Sequence, residues 1–297
     1  MHYPVNVFTG KVREYDGSRP SAIAKIQVDG ELTLTDLGLA GDEQAEKKIH
    51  GGPERALCHY PREHYQHWKA EFPEQADLFV APAFGENLST EGLTEKNVFI
   101  GDIYRWGDAL IQVTQPRSPC FKLNYHFGIH DMSAQMQSAG KTGWLYRVVL
   151  AGQVSADAPL ELVSRLSEVS VYDACAIAWH MPFDDEQYHR LLSAAGLSTS
   201  WTRTMQKRRL SSKIEDNSRR LWGKSPSVKS RPGKAKPPPG TNSYERLYNG
   251  SHSVNRSPPS GLSSAFTQPR CCCMAVSTIA SPSPVPPDSR SRASSVR

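Results

Sequence analysis

The chain has 297 residues, with 35 Lys and Arg against 30 Asp and Glu, a formal net charge of +5. The positive excess is local. Residues 225–297 hold 10 Lys and Arg, 2 Asp and Glu and 12 of the 22 prolines, which leaves 25 Lys and Arg against 28 Asp and Glu in residues 1–224. Overall basicity therefore gives no argument for a nucleic-acid polymer as partner, and none is expected.

The length suggests about two domains, and the elements divide accordingly. Residues 5–12 form a short strand, and residues 26–28 and 32–34 alternate around Asp29-Gly30, a tight-hairpin signal. A helix is predicted over 62–72, stopped by Pro73. A second hairpin joins 103–106 to 109–113 across Gly107-Asp108, and a second helix covers 131–138 ahead of Gly140. A strand over 144–150 ends at Ala151-Gly152, and residues 160–163 close the region. Many short strands separated by turns predict a closed barrel or sandwich over residues 1–163 rather than βαβ units.

From residue 164 the pattern changes. Residues 167–178 begin with a serine cap and carry Val171, Cys175 and Ala178. Residues 184–195 begin with acids and stop at Gly196, and residues 198–210 begin with Ser and Thr and carry Trp201, Met205 and Leu210. These signals predict a small three-helix domain over 164–222. Residues 223–297 are a low-complexity tail without apolar periodicity, expected to be disordered or non-native. The adjacent thiols of Cys271, Cys272 and Cys273 diverge and make no chelate.

Outside the tail the cysteines are Cys58, Cys120 and Cys175, an odd number without CxxC spacing. This argues against a disulfide framework or a structural zinc site and points to a reducing, cytoplasmic compartment. Three thiols fall short of the four that an iron–sulfur cluster takes. No signal peptide is expected, nor any apolar run near the roughly 20 residues of a membrane span.

Three segments carry chemistry. Cys120 lies in Arg117-Ser118-Pro119-Cys120-Phe121-Lys122-Leu123, flanked by two cations and by prolines that stiffen the loop. Arg117 and Lys122 are expected to favour the thiolate, the form that attacks electrophiles and binds soft metals. His50-Gly51-Gly52-Pro53, with Arg55 two residues on, cannot be regular helix or strand. Paired glycines let backbone N–H groups approach an anion, so the segment reads either as a phosphate cradle or as a surface turn. Phe84-Gly85-Glu86-Asn87-Leu88 reads either as polar side chains projecting into a pocket or as a loop cap.

The order Gly41-Asp42, His50-Gly51-Gly52-Pro53, Gly85-Glu86-Asn87-Leu88 and Arg117 to Leu123 resembles the MOSC domain family. The family takes its name from the C-terminal domain of molybdenum cofactor sulfurases. The likeness covers residues 1–222 and is to the stand-alone bacterial type, in which a three-helix segment follows the barrel. It implies a mainly β fold, a MOSC-type β-barrel followed by the three-helix domain. It also implies a molybdopterin-type molybdenum cofactor in the barrel mouth, with Cys120 as metal ligand. Such a cofactor carries a phosphate, for which His50, Gly51, Gly52 and Arg55 are candidate partners. Asn87, Arg117 and Lys122 are candidates for the pterin or oxo groups.

Stand-alone members are associated with detoxifying N-hydroxylated base analogues such as 6-hydroxylaminopurine. The resemblance therefore implies reduction of an N–OH group to the amine, with electrons from a separate flavoprotein or ferredoxin-type reductase. The alternative is a carrier of the cofactor, or of sulfur on Cys120, without turnover. A cysteine–histidine hydrolase using His126 or His130 has no supporting signature. The helical segment is either a docking surface for the reductase or packing for the barrel. Cys58 and Cys175 are expected in the core. His59, His64 and His67 are expected to be solvent-exposed, and the basic run ending Arg208-Arg209 a solvated helix end.

Overall fold

The computed structural model describes residues 2–15, 19–46 and 51–223. His50 lies outside the described residues, as does everything from Lys224 onward, including the expected disorder of the tail and the cysteine triplet. The strands are β1 (His2–Tyr3), β2 (Val5–Thr9), β3 (Arg13–Tyr15), β4 (Arg19–Ser21), β5 (Ile26–Val28), β6 (Glu31–Thr35) and β7 (Gly38–Leu39). They continue with β8 (Leu57–His59), β9 (Leu88–Thr90), β10 (Ile103–Trp106), β11 (Ala109–Pro116), β12 (Trp144–Leu150), β13 (Gly152–Ser155) and β14 (Leu160–Ser164). The helices are α1 (Glu63–Glu71), α2 (Lys122–Phe127), α3 (Met132–Ser138), α4 (Val171–Cys175), α5 (Asp185–Leu192), α6 (Thr199–Ser211) and α7 (Ser218–Trp222). A π-helical turn, Ala176–His180, extends α4.

The fold is mainly β. Nine strands pair in the order β1-β14-β10-β11-β12-β8-β9-β2-β5, beside a three-stranded β13-β6-β7 sheet and the β3-β4 pair. The terminal strands β5 and β1 are not hydrogen-bonded to each other, so among the described residues the pairings give an open order rather than a closed barrel. The Gly107-Asp108 hairpin forms as expected, with Trp106 opposite Ala109. The Asp29-Gly30 hairpin does not. β5 pairs with β2 and β6 with β13, so this turn carries the chain from one sheet to another. A turn signal specifies a reversal, whereas the partner is chosen by which side chains can be buried, as Leu34 and Val154 are.

One core runs from the sheet into the helices. Val7, Trp106, Ile111, Val113 and Trp144 share it with Val171, Cys175, Leu191, Trp201 and Met205. Burial pushes the Cys175 thiol well up, as expected for a packed cysteine. A second cluster, mostly aromatic, includes Tyr60, Tyr65, Trp68, Phe84 and Phe127.

Two exposure expectations are corrected. His59 is buried in β8, stacked on Trp144 with centroids 4.3 Å apart, and desolvation pulls it down to about 3. His64 is buried against Glu95, its Nε2 2.7 Å from the carboxylate, and only His67 is half-buried. Arg208 is also buried, bound to Glu215 at 2.7 and 2.6 Å and donating to the Ala178 carbonyl at 2.7 Å. An ion pair and a carbonyl satisfy a charge that the sequence run assigns to water. Among the described residues no helix is long and apolar enough to cross a membrane.

Candidate functional site

β11 ends at Pro116, which has no N–H with which to extend a ladder. The loop that follows is anchored by the Arg117 N–H, which donates to the Gly143 carbonyl at 3.1 Å. Gly143 has φ +66°, and a Cβ there would sit 2.1 Å from the His59 carbonyl oxygen, so only glycine permits this approach. Cys120 is half-buried, and α2 begins just beyond it, with the Leu123 N–H donating to the Cys120 carbonyl at 3.0 Å.

α7 returns to this loop from a hundred residues downstream. Its Arg220 carbonyl accepts from the Phe121 N–H at 2.8 Å, and its guanidinium donates to the Pro119 carbonyl. The Leu221 carbonyl accepts from Asn124 at 2.9 Å and from Ser133 at 2.7 Å. The cysteine is therefore held from both sides.

Cys120 opens onto a cavity of about 770 Å³, a size that suits a cofactor or small molecule. Its sheet-side wall includes Lys25, Asp42, Cys58, Asn87 and Arg117, and its helix-side wall includes Trp179, Ser200, Trp201 and Arg220. The Lys25 ammonium is ion-paired with Asp42, both almost fully buried. Asp42 also accepts from the Gly10 N–H at 2.8 Å and the Asn87 amide at 2.8 Å. Asn87 in turn donates to the Phe8 carbonyl at 3.2 Å and accepts from the Cys58 N–H at 3.1 Å. Its amide stitches three segments together while lining the cavity.

The predicted residues are partly gathered. Arg55, Asn87, Arg117, Cys120 and Lys122 all line the cavity, whereas Gly51 and Gly52 do not. Gly52 precedes a 3-10 turn, Pro53–Arg55, and the Arg55 guanidinium donates to Ser200 Oγ at 2.7 Å. Neither His126 nor His130 lines the cavity with Cys120.

The cations flanking Cys120 in sequence also act on other groups. Lys122 is ion-paired to Glu46 at 3.0 Å. Arg117 pulls on the Cys58 thiol, which burial nevertheless holds above its ordinary value. Arg220, from α7, is also in electrostatic contact with Cys120: burial pushes its ionisation down and the cysteine pushes it up.

Cys58 itself is half-buried and lines the cavity, against the expectation of core packing. The period-two alternation of β8 explains this, since Leu57 and His59 are buried and the residue between them faces the other way. Lys25 and Arg220 were also not predicted. Nothing local marks Lys25, and the only hint for Arg220 is a Leu-Trp pair closing a polar stretch.

Two of the buried side-chain atoms without a hydrogen-bond partner belong to segments singled out in the sequence. Arg117 Nη1 has none, nor has Glu86 Oε2. Glu86 accepts from the Tyr65 hydroxyl through its other oxygen, and burial lifts it to about 7 against the opposing pulls of Tyr65 and Arg117. A molybdenum–pterin cofactor needs a soft thiolate for the metal and fixed N–H donors for its oxygens. Cys120 and the side chain of Arg117 line one cavity, so a thiol and a guanidinium donor are both present there. Among the described residues no cluster of three or more His, Cys, Asp or Glu side chains forms a metal site. A metal beside Cys120 therefore suits a cofactor that brings most of its own ligands.

The chain belongs to the MOSC domain family, a molybdenum-cofactor-related class. The MOSC domain matches residues 46–161, and a YiiM-like 3-alpha helix domain matches residues 169–211. The chain is 77% identical over 224 residues to protein YiiM of Escherichia coli strain K12, spanning 75% of this chain and 100% of that protein. The crystal structure of YiiM from Escherichia coli superposes with a TM-score of 0.67 at 70% identity, covering 75% of this chain and all of the other. A protein named reductase from Gibberella moniliformis is 39% identical over 164 residues, 54% of this chain and 29% of its own length.

Proposed function

We propose that the chain is a molybdenum-cofactor-dependent reductase converting N-hydroxylated compounds, including base analogues such as 6-hydroxylaminopurine, to their amines. The observation that carries this reading is the single cavity lined by Cys120 together with Arg55, Asn87, Arg117 and Lys122. The likeness to a fungal reductase supports the reaction class.

When bound, the cofactor supplies the two-electron chemistry that N–O cleavage needs. Cys120 Sγ would hold the metal as a ligand rather than act as a nucleophile. Arg117, Asn87 and Lys122 would face the pterin or oxo groups of the cofactor, and Arg55 would add positive charge for its phosphate. The Lys25–Asp42–Asn87 network holds the wall that carries Cys58 in one arrangement. Reduction of each N–OH consumes two electrons and two protons and releases water. The electrons come from a separate flavoprotein or ferredoxin-type reductase.

The test is to measure molybdenum and pterin in protein made in a cofactor-competent host, then to assay 6-hydroxylaminopurine reduction with an added flavoprotein donor. Formation of adenine supports the reading. Loaded protein that reduces no hydroxylamine with any donor would instead be a carrier of cofactor or sulfur.

A further inference from the structure

Trp179 has no role in the chemistry described so far, yet its placement is specific. It lies in the π-helical turn after α4, closed by the Met181 N–H donating to the Ala176 carbonyl at 2.9 Å. Ala176, Ile177 and Ala178 of this turn are buried, whereas Trp179 is half-buried and lines the cavity. A π turn shifts the side chains that follow it off the α-helical register, a device common at functional sites.

The indole is fixed in place. Trp201 meets it edge-on, with centroids 5.5 Å apart and planes at 75°. Arg208, clamped by Glu215, binds the neighbouring Ala178 carbonyl at 2.7 Å. The Arg220 guanidinium carbon lies 5.6 Å from the indole centroid. That same guanidinium binds the Pro119 carbonyl, one residue before Cys120. A single side chain therefore spans from the indole to the cysteine loop.

We infer that Trp179 and Arg220 form the subsite for the flat nitrogen heterocycle of the substrate, so that the helical segment reads the ring while the sheet side holds the cofactor. This rests on the reductase reading above. An aromatic face stacks on any planar base, and the adjoining guanidinium favours a ring rich in nitrogen acceptors. A small aliphatic hydroxylamine has no ring to place there. A pterin is also flat, so occupation by the cofactor is the rival that the experiment must separate.

The cofactor-loaded protein is assayed with 6-hydroxylaminopurine and with N-methylhydroxylamine. Trp179→Leu should raise KM for the purine on the order of tenfold, leave KM for N-methylhydroxylamine unchanged, and retain wild-type molybdenum and pterin. Trp179→Phe should restore most of the purine KM. Equal effects on both substrates, or loss of pterin from Trp179→Leu, would overturn the assignment. If Trp179→Leu does not fold, the purine-to-methyl KM ratio of Trp179→Phe decides: a rise of about threefold supports the subsite, and no change refutes it. Adenine binding to the cofactor-free protein separates the two proposals. If wild type reduces no hydroxylamine but binds adenine in a Trp179-dependent way, the subsite stands and the reductase reading falls.

Discussion

The Phe121 N–H donates to the Arg220 carbonyl at 2.8 Å, so the residue after the cavity cysteine is bonded to the last helix of the described chain. α7 is therefore part of the site. Ending the chain after Gly223 should leave molybdenum content and urea-unfolding stability unchanged. Ending it after Asn217 removes the Leu221 carbonyl and leaves the Asn124 amide and Ser133 hydroxyl without an acceptor. Each such loss costs about 1–3 kcal/mol. The shorter form should lose stability by several-fold more than the error of a urea titration, and most of its molybdenum. Equal behaviour of the two truncations would mean that α7 is dispensable.

Cys120→Ala should abolish both molybdenum retention and hydroxylamine reduction while leaving the circular dichroism spectrum and melting temperature near wild type. Half-burial at a cavity edge means that little packing is lost. Activity equal to wild type would remove the mechanism.

Glu54 ties the helical segment to the sheet. Its carboxylate accepts from the Thr199 N–H at 3.0 Å, at the start of α6, and from Arg147 Nη2 at 2.9 Å. The pair with Arg147 is partly exposed, so most of its worth lies in capping the helix. Glu54→Ala should destabilise by about 1–2 kcal/mol, read as a lower urea midpoint. Glu54→Gln, which keeps an acceptor, should recover part of it.

Glu86 predicts a pH dependence. Its buried carboxyl titrates at about 7 in the folded chain against an ordinary 4.5. Between those values the folded state keeps a proton that the unfolded state has released, so stability falls as pH rises through the window and levels off above it. Glu86→Gln keeps the acceptor for Tyr65 and removes the titration. Relative to wild type it should gain up to about 3 kcal/mol between pH 4 and pH 8. A stability difference that stays constant across that range in urea titrations would refute the shift.

Much of the architecture was legible because it is local. Asp184 and Ser198 were readable as helix starts, and each accepts from an N–H three residues on, whereas the serine cap expected at Ser167 is Ser170, three residues later. The Gly107-Asp108 reversal joins adjacent strands and needs no distant partner. Asp29-Gly30 looked the same and was misread, because its flanking strands pair far along the chain with β2 and β13. The cysteine loop and Asn87 were found by residue type and order. The helical contribution was not, since Trp179, Trp201 and Arg208 follow spacings indistinguishable from ordinary packing or a solvated helix end.

Residue order alone was enough to name a thiol that lines the cavity and the family the chain resembles, because prolines, glycines and caps act over a few residues. Which charge faces that thiol was a matter of folding. Arg117 and Lys122 are its chain neighbours, and Arg220, a hundred positions downstream, comes into electrostatic contact with it only in the fold, because fields and hydrogen bonds follow distance through space and not distance along the chain.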